Sequence, residues 1–163
     1  MQRDDWYETV RDPAELPAPA LIGRKAGERA IARLKARKVP TAQVPVLFES
    51  GVAASLMGHF VGAVSGGSLY RKSSFLLDSL GKQIFAPCVQ MTDFPHIPKA
   101  LASGAFDEEG VTTQQRDIVK DGVVQGYFLA SYSARKLGMK STGNAGGNHN
   151  LILQDTGEDF AAL

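Results

Sequence analysis

Apolar positions at Ile22, Ala26, Ala30, Ile31 and Leu34 recur at helical spacing, which predicts a helix over residues 21–37 stopped by Pro40. Ahead of it, residues 1–20 carry Pro13, Pro17 and Pro19 and read as an extended entry segment. Val44, Val46 and Phe48 alternate with Pro45 and Leu47, the two-residue period of a strand, and Pro45 confines that strand to an edge or an irregular position. After a turn at Glu49-Ser50-Gly51, the apolar positions Val52, Leu56, Phe60 and Ala63 form a stripe that ends at Ser65-Gly66-Gly67. Small residues (Ala53, Ala54, Ser55, Gly58, Gly62) fill the other faces, so a buried helix approached closely by other backbone is expected.

Downstream the pattern shortens. Residues 75–80 read as a turn of helix, and residues 82–93 as a strand through Ile84, Phe85, Val89 and Met91, followed by an irregular loop bounded by Pro95 and Pro98. Residues 115–120 and 123–130 flank Asp121-Gly122, the sequence of a two-residue hairpin whose type I′ turn needs positive φ at both central positions. Residues 131–137 form a last helix with Gly138 as its C-cap. The tail after Asn150, ending Glu158-Asp159-Phe160-Ala161-Ala162-Leu163, offers nothing that closes a fold. The sum is an α+β chain with mainly antiparallel strands and two or three helices, arranged as a single domain over residues 1–163.

Composition narrows the class. A chain of 163 residues that is 44% hydrophobic buries one substantial core. Eighteen Lys and Arg against 17 Asp and Glu give a formal charge of +1, without the concentrated basic face that direct nucleic-acid binding needs. The local run Arg24, Lys25, Arg29, Arg33, Lys35, Arg37 and Lys38, offset only by Glu28, reads as a solvated helix face. Cys88 is the only cysteine, so no internal disulfide forms, and its position after Pro87 suits a small buried hydrophobe. The charged N-terminus has no apolar signal core, and no apolar run of 18 residues occurs. A cytoplasmic protein that does not span a membrane is expected.

Candidate chemistry concentrates in one place. Residues 143–150 hold three glycines and three asparagines, residue types that tolerate positive φ and shape a loop with accessible backbone N–H groups. Within it Gly143, Asn144, Gly146, Gly147 and His149 are the candidate contacts for a peptide or a partner. The loop lacks the Gly-Lys-Ser/Thr ending of a phosphate-binding loop. Of the other histidines, His59 lies on the face of Leu56 and Phe60 and suits a core position, and His96, between Pro95 and Ile97, suits the surface or local packing. None has metal-motif spacing. A Cys88/His96 thiol pair has nothing local to lower the thiol pKa. Asp107-Glu108-Glu109-Gly110 lacks calcium-loop spacing and reads as a solvated turn.

Several longer runs resemble one family. Gly58-His59, Gly66-Gly67-Ser68, Tyr70-Arg71-Lys72-Ser73, the stretch from Phe75 to Ile84, Phe106-Asp107-Glu108-Glu109-Gly110-Val111, Arg116-Asp117-Ile118-Val119-Lys120-Asp121-Gly122 and the stretch from Ser131 to Gly147 are similar to the TldD/PmbA family. The likeness covers nearly the whole chain and is nearer to the PmbA (TldE) branch, labelled a modulator of DNA gyrase and grouped with the U62 peptidases. It implies the front part of a C-terminal domain. It also implies a heterodimeric metalloprotease acting on peptides, in which TldD-type subunits carry a His-Glu-x-x-x-His zinc motif. The corresponding window here is Ala54-Ser55-Leu56-Met57-Gly58-His59, where only the last histidine matches. Ala54 replaces a ligand and Ser55 the carboxylate that would activate water, so the motif is degenerate. The expectation is a non-catalytic subunit with no catalytic residue and no metal of its own, paired with a TldD-type partner that holds the zinc. Two readings stand beside it. One is a self-sufficient zinc metallopeptidase whose missing ligands come from His96, His149 or residues outside this chain. The other is a regulatory binding protein in a gyrase-related pathway.

Overall fold

The first 48 residues contain one helix, α1 (Pro19–Ala32), preceded by a 3-10 turn over Pro13–Glu15. The helix begins two residues before the position predicted from periodicity, because Pro19 has the backbone angle a first helical residue needs. It ends well before Pro40: Arg33 closes the last turn and Lys35, at φ 57°, turns the chain into the left-handed region. No residue of α1 is buried. Trp6 lies under Lys25 and Arg29, 4.6 and 5.4 Å from its ring centre, and Asp4 lies 3.4 Å from Arg29 and 3.3 Å from Arg33. The basic run is therefore partly neutralised by residues 4–8. The strand expected at residues 44–48 does not form. Val44, Val46 and Leu47 are exposed, no neighbouring strand pairs with them, and Pro45 supplies no N–H.

The computed structural model describes residues 1–158, and its contacts divide the chain into two compact units, residues 1–48 and 49–163. The last five residues of the predicted featureless tail lie outside the described residues.

The second unit is α+β. Its elements are α2 (Ser50–Ala63), α3 (Gly66–Tyr70), β1 (Met91–Phe94), β2 (Arg116–Lys120), β3 (Val123–Val124), α4 (Ser131–Lys136) and β4 (Asn150–Leu153). The four strands form one antiparallel sheet in the order β3-β2-β1-β4. The hairpin is as the sequence foretells, with Asp121 at φ 52° and Gly122 at φ 76°. Its tip explains why residues 82–90 are not the strand that their apolar pattern predicts. The carbonyl of Gly122 accepts from the amides of Ile84 and Phe85, and its own amide donates to Val89. That segment wraps the turn, touching β3 through a single antiparallel bridge between Gln83 and Val123, and only Met91–Phe94 forms a strand of the sheet. A Cβ on Gly122 would come 2.4 Å from the carbonyl oxygen of Phe85, so the wrap requires glycine.

Two helical expectations are corrected. The Ser65-Gly66-Gly67 stretch does not simply end α2: Ser65 caps a further helix, α3, by accepting from the amide of Ser68. Gly66 is where α3 meets α4, since a Cβ there would sit 2.2 Å from the hydroxyl oxygen of Ser133. The expected buried helix, α2, is mostly exposed; only Phe60 and Ala63 are buried. Its C-terminal turn feeds the core formed by Phe60, Val64, Leu69, Met91, Ile118, Val119, Val124, Phe128 and Leu129. Helix α4 closes as expected. Gly138 is at φ 67°, its amide donates to Arg135, and the amide of Met139 donates to Ala134. The tail after Asn150 does close the fold, for Asn150–Leu153 pair with all four residues of β1. Cys88 is exposed rather than buried. No helix among the described residues is long and apolar enough to cross a membrane.

Candidate functional site

The glycine-rich loop turns out to be organised by buried polar side chains beneath it. Asp93 comes from the centre of the sheet, on β1, and is 1% exposed. One of its oxygens, Oδ1, accepts from the backbone amide of His149 at 2.8 Å, and Oδ2 accepts from the Asn144 side-chain amide at 3.1 Å. The His149 ring presents Nδ1 to the same Oδ2 at 3.1 Å. The Asn144 side-chain amide also lies 3.4 Å from this Nδ1, so the tautomer decides which of the two contacts the ring makes as a donor.

Asn144, 4% exposed, is the second hub. Its Oδ1 accepts from Arg116 at 2.8 Å and from the Thr142 hydroxyl at 2.9 Å, while its Nδ2 also donates to the carbonyl of Gly147. Arg116 in turn donates to the carbonyl of Tyr127. Burial pushes the Arg116 guanidinium below its ordinary value, and the charge of Asp93 opposes that shift. Gly126 makes room for it: a Cβ there would lie 2.9 Å from Nη1.

Asp107 fastens the loop from the other side. It is buried rather than part of a solvated turn, because its oxygens accept three backbone amides, from Glu109, Val111 and Ala145 at 2.9 Å each. Burial pushes its carboxyl up, but those three hydrogen bonds and the nearby His149 outweigh it and hold the group below its ordinary value. Backbone shape completes the arrangement. Gly143, at φ 69°, would place a Cβ 2.7 Å from the carbonyl oxygen of Thr112.

The predicted contact residues therefore divide. Gly143 and Asn144 are buried and hold the loop, Gly146 is exposed on its outer side, and Gly147 and His149 are half-buried. Sequence reasoning missed Asp93, Asp107, Arg116 and Thr142. Asp107, Arg116 and Thr142 stood inside the family-like runs, and Asp93 stood out only as a charge at the end of an apolar strand pattern.

The zinc-motif window lies elsewhere, on α2. Ala54 is exposed and carries no donor atom, and the Ser55 hydroxyl bonds back to the carbonyl of Val52 at 2.6 Å. His59 is exposed rather than in the core. His96 is exposed too, its Nε2 2.9 Å from the hydroxyl of Thr113. Among the described residues no group of three or more His, Cys, Asp or Glu side chains could hold a metal ion. The residues present do not fit the zinc that the resemblance implies, since one imidazole cannot supply the three protein ligands of a catalytic site.

Comparison with known proteins gives a consistent picture. The family model for the PmbA/TldA metallopeptidase C-terminal domain matches residues 41–163. The chain is 50% identical over 163 residues to Metalloprotease PmbA of Escherichia coli O157:H7, covering 100% of this chain and 36% of that protein. It is 32% identical over 141 residues to the Metalloprotease TldD homolog of Haemophilus influenzae, covering 86% of this chain and 29% of that one. A crystal structure of a Thermotoga maritima protein, proposed as a modulator of a DNA gyrase, superposes with a TM-score of 0.85 at 34% identity, over 95% of this chain and 37% of that one. The chain thus spans about a third of the length of the curated relatives it matches.

Proposed function

The chain belongs to the PmbA/TldD metallopeptidase family, and from that premise we propose that it is part of a PmbA-type subunit that serves a metalloprotease complex without performing its chemistry. The observation that carries this reading is the window on α2. Ala54 stands where a ligand is needed, and Ser55 stands where a carboxylate would take a proton from water. With those two groups gone, His59 alone cannot hold or activate anything. The greater identity to the PmbA relative than to the TldD relative, 50% against 32%, supports the same assignment.

The zinc and the water-activating base then belong to a TldD-type partner, and the substrate is a peptide. The outer side of the glycine loop, at Gly146 and Asn148, is the part of residues 143–149 that stays exposed for contact with either. Asp93, Asp107 and Asn144 keep its backbone in one shape, which lowers the ordering cost of such a contact.

The test is co-purification of the full-length protein with a TldD-type subunit, followed by peptide cleavage and metal analysis of each subunit alone and of the pair. Cleavage should require both proteins, with zinc in the TldD-type subunit. Stoichiometric zinc in the PmbA-type protein by itself, together with cleavage in the absence of the partner, would overturn the proposal.

A further inference from the structure

A second site lies away from both the glycine loop and the zinc-motif window. A cavity of about 280 Å³ opens where the segment after α3 meets the end of α4. Its apolar lining comes from Leu69, Leu77, Leu137 and Met139. Three charged side chains share it, Lys72, Lys136 and Asp78, so the lining carries a net positive charge. Neither lysine makes an ion pair among the described residues; Lys136 lies only over the ring of Tyr132, at 5.6 Å.

Two details separate this lining from an ordinary dent in the surface. Lys72 and Asp78 are both in the left-handed region, at φ 56° and 54°. A non-glycine residue there is held in a conformation that L side chains rarely adopt. The wall beneath them is fixed, because the Tyr127 hydroxyl accepts from the amide of Leu80 at 2.9 Å and lies 3.4 Å from the Ser79 hydroxyl. Basic residues after α3 and in the last turn of α4 also complement the helix dipoles. That accounts for the sign of the charge. It does not account for the cavity or for the apolar lining beside it.

A pocket with an apolar side and unpaired lysines beside it suits an anion carried on an apolar body. Its volume is near the lower end of small-molecule sites, roughly 300 Å³, and holds one or two residues rather than an extended strand. We propose that this cavity binds the free C-terminal carboxylate of a peptide whose last residue is hydrophobic, with Lys72 and Lys136 on the carboxylate and the leucines and Met139 around the side chain. The choice of a peptide as the carrier rests on the protease reading. The preference for a carboxylate on an apolar group does not.

Binding is measured on the chain itself by titration calorimetry, with no cleavage readout, so a failed protease reading leaves the outcome interpretable. The probes are N-acetyl-Ala-Leu-Phe as the free acid, the same tripeptide as its amide, and 4-phenylbutyrate. The free acid should bind at least about tenfold more tightly than the amide, and Lys72→Gln with Lys136→Gln should abolish that difference while the circular dichroism spectrum is unchanged. If the double variant misfolds, Leu77→Glu, which puts a repelling carboxylate into the lining, should weaken the free acid by a similar factor. Equal binding of acid and amide, or no binding at about 5 mM, overturns the proposal. Binding of 4-phenylbutyrate without the peptide acid overturns the peptide assignment.

Discussion

The glycine loop and helix α2 use their side chains in opposite ways. In the loop, the buried polar groups bond mainly to one another, with the Arg116 Nε left without a partner: Asp93 accepts three contacts, Asn144 joins Arg116 to Thr142, and Asp107 accepts three amides. In α2, the apolar side chains of Val52 and Leu56 are exposed, 53% and 39%, and only the last turn enters the core. The internal bonds fix the backbone of the loop and leave only its outer side, at Gly146 and Asn148, exposed. In α2 the apolar groups stay uncovered among the described residues, although the loop is the more conspicuous sequence.

The sharpest way to break this contrast is to remove Asn144. Replacement by alanine strands Arg116 and one side of Asp93 in a buried setting, and should destabilise the chain by about 3 kcal/mol, read from urea unfolding. A loss under about 0.5 kcal/mol would show that the loop is not held from below. Next is Gly143→Ala, which meets the Thr112 carbonyl and adopts a left-handed backbone, with an expected cost of about 2 kcal/mol.

Asp107 gives a pH test. Its carboxyl is held below its ordinary value, so its contribution to stability is fully present above the unfolded-state value of about 4 and is lost as pH falls through the lower folded-state value. The unfolding midpoint of the natural protein should therefore drop more steeply below about pH 4 than that of Asp107→Asn. Parallel curves would remove Asp107 from the account. The smallest effect belongs to α2: Leu56→Ser and His59→Ala should each change stability by less than about 0.5 kcal/mol, because both residues are exposed. If both variants lose the pairing with a TldD-type subunit proposed above, α2 rather than the outer side of the glycine loop carries that contact.

Legibility followed the range of the interaction. Asp121-Gly122 was readable because a two-residue turn depends on its own φ angles, and so was Gly138, whose bond to Arg135 and the bond from Met139 to Ala134 close α4 over three to five residues. The apolar pattern of residues 82–90 misled, since the hairpin tip claims that backbone. Leu151, Ile152 and Leu153 carried too short a pattern to announce β4, which exists because β1 offers an unpaired edge.

The sequence by itself determined the class, the hairpin, the position of α2 and α4, the family, and that Ala54 carries no metal-binding atom and Ser55 no carboxylate. Each of these depends on residue identity or on neighbours a few positions apart. Only the tertiary structure decided that Asp93 and His149, 56 positions apart, share a contact, and that Asp107 anchors Ala145 across 38. It also decided that α2 faces outward, because burial depends on which distant segments arrive to cover a surface, and no local pattern records that.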